Sequence, residues 1–351
     1  MFHVQSSRIE LNRDHPPVIY VCRRAKGKFI PDGNINKPFW EDIPFTDDFV
    51  DISGKDFPKP RFRTRVKMCR DDENLYIAAL LEGNEIWANI TKRDSVMYYD
   101  NDFEVFIDPS SSTHNYMELE MNALNTQWDL MLTHPYRDGG RSVSCWDIKG
   151  VETFVHINGK LNDPSADNKS WSVEIKLPFA PLMETYSKEE NPPELERCYP
   201  ARTAPKAGEF WRMNFSRVQW NVDTADGKYV KRTENGKPLP EDNWVWAPTG
   251  LIDIHCPDFW GFVFFADGDE DYRIPENELR KLDLRAEYYN QFSVYEKTGH
   301  FTENTIKKET KTGSLCTIKT QITDKTFLIS CETEDGKGRI YLRSDGYTYI
   351  E

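Results

Sequence analysis

Along most of the chain, apolar residues recur at every second position in short runs, and Gly, Pro, Asn or Asp separates one run from the next. A period of two sends successive side chains to opposite faces of a strand. The runs are VIYVC (18–22), RTRVKMCR (63–70), NLYIAALLE (74–82), DFEVFID (102–108), YMELEMN (116–122), TQWDLML (126–132), WSVEIKLPF (171–179), FWRMNFSRVQW (210–220) and WGFVFF (260–265). In 102–108, Phe103, Val105 and Ile107 point one way, Glu104 and Phe106 the other. In 116–122, Met117, Leu119 and Met121 oppose Glu118, Glu120 and Asn122. In 171–177, Trp171, Val173, Ile175 and Leu177 oppose Ser172, Glu174 and Lys176. Each strand thus has a dry face and a wet face, as two sheets packed face to face require. The pattern predicts a mainly β protein, an antiparallel β-sandwich of jelly-roll-like form.

The period changes after residue 266. ADGDEDYRIP is an acidic linker, and Pro275 opens a helix over about 275–298. Leu279, Leu282, Ala286, Tyr289 and Phe292 recur at helical spacing, and Gly299 supplies the stop. Strands follow at 314–322, 326–332 and 338–344. The reading is a sandwich domain over 1–265 and a small α+β appendage over 266–351, its helix packed on a short antiparallel sheet. Residues 1–30 form an N-terminal arm around the 18–22 strand, and the polar stretches 181–209 and 221–243 are long loops.

Composition narrows the partners. The chain has 351 residues, with 45 Lys and Arg against 58 Asp and Glu, a net charge of −13. The basic residues are scattered, so no basic stripe is present for nucleic acid. No stretch approaches the ~20 apolar residues of a membrane span. The 46 aromatic rings (10 Trp, 16 Tyr, 20 Phe) serve as core, as stacking platforms, or as both. The seven Cys are spread out, without CxxC or Cys/His clusters, which points to free thiols and a reducing compartment. The N-terminus lacks an apolar h-region, so no signal peptide is visible. The expectation is a cytoplasmic protein as given, or a secreted one where a signal has been removed.

Several motifs in order carry a resemblance. DGNINKPFW (32–40) is an Asp-Gly, a spacer and a Trp; RVKMCRDDENLYIAALLE (65–82) is a strand, an acidic turn and a strand. MYYDNDFEVFIDP (97–109) is an acidic-aromatic loop running into a Glu-bearing strand, and YMELEMNALN, WSVEIKLPF, FWRMNFSRVQW and WGFVFF follow. Over residues 18–265 the chain resembles the family 9 carbohydrate-binding modules. That resemblance implies sugar binding without cleavage, with a ring clamped between aromatic side chains and its hydroxyls held by polar ones. It places Tyr98, with Tyr99 beside it, at the first clamp, where the family has Trp. Glu104 matches the hydroxyl-binding Glu. Glu120 and Asn122 match an Arg-x-Asn pair, with Glu replacing Arg. Asn243 and Trp246 stand at the spacing of an Asn and the second clamp, with Trp244 between them. The family also holds structural calcium, for which Asp102, Asp108 and the DPSSST loop (108–113) offer oxygen ligands.

Other readings stay open. Asp100, Asp102, Glu104, Glu118 and Glu120 form an acidic set that neighbouring strands could space as glycoside-hydrolase carboxylates. A haem-binding sandwich would need axial ligands among His134, His255, Met97 and Met131. Tyr98, Tyr99, Trp244 and Trp246 could be packing residues, and Arg212 and Asn214 are further wet-face candidates. A purely structural sandwich would turn attention to a protein partner of the appendage, which the sequence does not identify.

Overall fold

The computed structural model describes residues 4–184, 204–309 and 315–351. Part of the predicted 181–209 loop, with Cys198, lies outside them. Two curled sheets form the sandwich. The front sheet runs in the order Ser142–Val143, Gln127–Leu132, Tyr116–Asn122, Asp102–Asp108, Phe210–Gln219, Gly261–Phe265 and Ile19–Arg24. Asp242–Val245 pairs with the far half of Phe210–Gln219. The back sheet runs Thr64–Arg70, Asn74–Glu82, Ser170–Pro178, Glu152–Asn158. Ile19–Arg24 joins them, pairing parallel with Gly261–Phe265 and then with Thr64–Arg70. Every other pairing in the sandwich is antiparallel among the described residues.

The predicted dry faces meet in the core. Phe103, Val105, Ile107, Met117, Leu119 and Met121 pack from the front against Ile77, Ala79, Trp171, Val173 and Ile175 from the back. Alternation alone dictates this, since a one-residue slip would turn each set outward.

The outer face of the back sheet is closed by DGNINKPFW. Phe39 and Trp40 pack on Tyr76 and Ala78. Glu174, on the predicted wet face, is fully buried beneath them. Its carboxylate accepts Asp32 N (2.9 Å), Gly33 N (2.8 Å), Trp40 Nε1 (2.7 Å) and Lys37 Nζ (2.8 Å). Gly33 is at φ +81°, and a Cβ there would lie 2.3 Å from the Val155 carbonyl carbon, so only glycine fits this turn. Glu174→Ala leaves three N–H donors without their acceptor and takes one of two carboxylates from the half-buried Lys37. It is expected to cost ~3–5 kcal/mol, read by urea unfolding; a loss under ~1 kcal/mol would refute the hub role.

The appendage helix is Glu276–Thr298, ended by Gly299 in the left-handed region as the sequence predicts. Its sheet has five strands rather than three: Asn304–Glu309, Leu315–Ile322, Phe327–Glu332, Arg339–Arg343 and Thr348–Ile350. The first is too polar and the last too short to stand out in sequence. A helix over Ser6–Asp14 also belongs to this unit, because Val4 and Ile9 pack with Leu282, Leu284 and Tyr288. Arg13 ties it down through Glu276 (3.0 Å) and Asp283 (3.1 Å). The appendage core therefore draws on both ends of the chain. The 221–243 stretch, read as loop, contains two small hairpins and the Asp242–Val245 strand.

The appendage docks through buried polar contacts. Arg137 donates to Asp258 (3.1 Å) and Tyr289 (2.7 Å), Tyr288 to Asp138 (2.8 Å), and Ser111 to Glu278 (2.7 Å). His114 stacks on His134 at 4.9 Å and meets the edge of Tyr347. Burial pushes its pKa down to about 4; Asp345 opposes that shift, while His134, Arg285 and Arg343 add to it. A histidine with a lowered folded pKa contributes stability above its ordinary value of 6.5. That contribution is lost as pH falls from 6.5 toward 4. The loss is at most on the order of 3 kcal/mol. Denaturant unfolding between pH 7 and pH 4.5 should show it, and His114→Phe should reduce the slope; an unchanged slope would clear His114 of the role.

Candidate functional site

The outer face of the front sheet is not open to water. In the register, Asp102 faces Asn122 and Val218, Glu104 faces Glu120 and Ser216, and Phe106 faces Glu118 and Asn214. Toward one end this face is apolar: Phe106, Tyr116, Leu130, Leu132 and Trp260 form a cluster. Toward the other it is acidic. Asp102, Glu104, Glu118 and Glu120 are all at most 5% exposed. A cleft of about 490 Å³ opens over Glu104, Glu118 and Glu120. Its floor is Glu104, Glu118, Glu120, Trp128 and Val218, and its walls include Tyr98, Tyr136, Glu241, Asn243 and His255.

Local structure fixes each group. Glu120 accepts the Met97 N–H at 3.2 Å, which anchors the turn Met97–Tyr99 and so sets Tyr98 at the rim. Trp220 Nε1 donates to the Tyr98 carbonyl at 2.9 Å. Tyr98 and Tyr136 are 39% and 46% exposed, so their rings are available. Trp128 lies across the ladder from Glu120, and its Nε1 is buried without a partner. His255 Nδ1 is 3.0 Å from the Tyr116 hydroxyl, and burial pushes the ring down to about 4.

Burial and mutual repulsion hold the acids toward their neutral forms. Asp102, Glu104 and Glu120 are pushed well above the usual carboxylate range, first by burial and then by neighbouring carboxylates. Glu118 is pushed up to about 8, again by burial and then by Glu104. Among the described residues, none of the four forms an ion pair with a Lys or Arg.

The predicted site residues divide. Tyr98, Glu104, Glu120 and Asn243 meet in the cleft. Tyr99 is exposed beside Tyr98, ring centroids 4.9 Å apart, outside the cleft lining. Asn122 is fully buried and spent on the backbone: it donates to Ile90 O and Asp100 and accepts from Leu124 N and Thr126 N. It shapes a turn, and no hydrogen-bonding atom is left for a sugar hydroxyl.

Trp244 and Trp246 are corrections as well. Both rings lie in the sandwich core, 3% and 4% exposed. The register explains it. Trp244 sits opposite Arg217, which points inward, while Asn243 sits opposite Val218 on the outer face. Trp246 packs on Phe215, and a Cβ on Gly261 would lie 2.5 Å from its ring. Asn243 faces the cleft because the two tryptophans do not. Arg212 and Asn214 also serve the fold, donating to the carbonyls of Trp260 and Ala247. In the loop 108–113, Asp108 accepts Ser110 N, Ser110 Oγ and Thr113 N. Sequence reasoning missed Trp128 and Tyr136, and left Glu118 outside the ligand set. Glu118 was legible from its place on the wet face with Glu120; Tyr136 carried no signal.

The fold is a two-sheet β-sandwich with an aromatic and acidic cleft on the outer face of one sheet. Residues 30–192 match the family model described as carbohydrate family 9 binding domain-like. No curated protein matches the chain. Among solved structures, it is similar to a candidate carbohydrate-binding protein of Bacteroides uniformis, at 15% identity and TM-score 0.48, covering 71% of this chain and 99% of that one. It is also similar to a family 9 module of Caldicellulosiruptor kristjanssonii solved with cellotriose, at 13% identity and TM-score 0.42, covering 73% and 98%. The same module solved with glucose gives 13% identity and TM-score 0.41, covering 73% and 100%. No helix among the described residues is long and apolar enough to cross a membrane.

The core placement of Trp246 has a measurable consequence. Trp246→Ala is expected to lower stability by ~3–5 kcal/mol in denaturant, with no sugar present. A wild-type midpoint would place the ring outside the core.

Proposed function

We propose that the outer-face cleft of the front sheet binds carbohydrate without cleaving it. The observation that carries this reading is the company the acids keep. Glu104, Glu118, Glu120 and Asn243 offer planar hydrogen-bonding groups, and the rings of Tyr98, Trp128 and Tyr136 stand around them. Sugars need both: hydroxyls are read by planar donors and acceptors, and C–H faces pack on aromatic rings. Trp128 Nε1 is a buried donor without a partner, which a hydroxyl would satisfy. The volume falls within the ~300–1,000 Å³ of small-molecule sites. The family match supports the same ligand class.

Binding fits better than hydrolysis. The nearest carboxylate oxygens of Glu104 and Glu120 lie within 4.8 Å of each other. That is well short of the ~6.5–9.5 Å that an inverting glycosidase keeps between its carboxyl groups to admit water.

A titration with glucose and cellotriose, followed by tryptophan emission, tests the proposal. A saturable change is expected in the wild type. Glu104→Ala should weaken binding by about tenfold, from the loss of a hydrogen-bonding carboxyl worth ~1–2 kcal/mol. No response to either sugar, nor to any member of a glycan array, would sink the reading. Release of reducing ends would replace it with hydrolysis.

A further inference from the structure

A second cavity adjoins the cleft where the sandwich meets the appendage. It measures about 660 Å³, larger than the cleft itself. The sandwich supplies the turn Tyr136–Asp138 with Gly139, together with Ile252 and Asp253, and the appendage helix supplies Phe292. Tyr136, Ile252 and Asp253 line both cavities, so the two meet along these three side chains. The seam is open surface rather than core, since Tyr136 is 46% and Ile252 74% exposed. Ile252, Asp253 and Phe292 all lie outside residues 30–192, which carry the family match.

The seam repeats the chemistry of the cleft. The Tyr136 ring and the Ile252 side chain give sugar C–H faces a surface to pack on, and Asp253 gives hydroxyls an acceptor. That carboxylate has capacity to spare. Its Oδ1 accepts the His255 N–H at 2.9 Å, while its Oδ2 stands 3.8 Å from Arg137 Nη1, beyond hydrogen-bond distance. Among the described residues, Arg137 is the one Lys or Arg on either lining. It is buried and already donates to the His255 carbonyl, to Asp258 and to Tyr289. Acids without a free cation beside them repel an anionic ligand and leave a neutral one favoured.

We propose that a neutral sugar chain bound in the cleft continues across Tyr136 and Ile252 into the second cavity, so that the ligand is an oligosaccharide and the appendage forms part of its binding surface. This inference rests on the carbohydrate reading of the cleft and adds a second subsite to it, built at the seam between sandwich and appendage. One sugar unit meets the acidic floor and Trp128. The next packs on Tyr136 and Ile252, and the chain then approaches Phe292.

The test uses the full chain and measures affinity by calorimetry for three pairs: glucose and cellotriose, xylose and xylotriose, mannose and mannotriose. In a pair that binds, the trisaccharide should be tighter than its monosaccharide by about tenfold or more, which is ~1.4 kcal/mol. Two variants locate the extra units. Ile252→Ser removes the exposed aliphatic contact and should cut that ratio by about threefold or more. Gly139 lines the second cavity and not the cleft, and a Cβ there meets nothing within 4 Å. Its φ of +91° is tolerated by Asn better than by most side chains. Gly139→Asn should therefore fold, keep wild-type monosaccharide binding and lower the ratio by a similar factor. Trigalacturonate should bind about tenfold more weakly than the tightest neutral trisaccharide; equal binding overturns the choice of a neutral chain. A ratio under tenfold in every pair that binds, or one that neither variant lowers, overturns the second subsite and leaves the carbohydrate reading of the cleft standing. Failure of all six neutral sugars to bind overturns the inference too, and the glycan array then judges the cleft on its own.

Discussion

The rest of the structure depends on one constraint: the outer face of the front sheet is covered rather than left to water. The Met97–Tyr99 turn, the segment around Glu241 and residues 252–255 stand over it and wall the cleft. Side chains that alternation marks as wet are therefore dry. A solvated Glu on a sheet face is energetically unremarkable. The same Glu under a lid must be hydrogen-bonded, protonated or paired. The chemistry of the cleft follows from that covering.

The face divides its labour along the strands. Its apolar end, around Phe106, Tyr116 and Trp260, lies next to the Arg137–Asp258–Tyr289 network that fastens the appendage. Its acidic end forms the cleft floor. His255 stands where the two meet, bonded to Tyr116 and lining the cleft wall. The backbone of the same residue also accepts from Arg137. The network that fastens the appendage thus reaches the cleft wall through His255.

The sandwich was legible because its inner faces repeat with period two over long strands, and that pattern survives any arrangement of the loops. What lies above the outer face was not legible, because covering segments arrive from distant parts of the chain. Trp244 and Trp246 show the cost. Trp244 lies in a strand of only four residues and Trp246 just past its end, both next to a polar stretch, so no period could be read. Once it pairs with Phe210–Gln219, the inward direction of Phe215 and Arg217 fixes both tryptophans inward and Asn243 outward. The N-terminal helix was hidden for a similar reason. Only Ile9 and Leu11 in SSRIELNRD are apolar, and Leu11 is exposed. Salt bridges from Arg13 to the appendage, absent from any local pattern, hold it.

The two sheets bury acids on their outer faces in opposite ways. Glu174, under DGNINKPFW, meets three N–H donors and the Lys37 ammonium, so every feature around it serves to satisfy it. Its burial is explained by the fold alone. Asp102, Glu104, Glu118 and Glu120 have comparable depth but share their surroundings with one another and with a cleft. Stability would favour replacing them with apolar residues of similar volume. Local conflict of this kind, kept in an otherwise consistent fold, is the physical mark of a site. The sequence resemblance pointed at Trp244 and Trp246 for the ligand, but at this end of the sheet the unsatisfied groups are the indole N–H of Trp128 and, beside the floor acids, Asp102 Oδ2. A group whose needs the protein has not already met has the most to gain from a ligand, and on the cleft floor that group is the Trp128 indole.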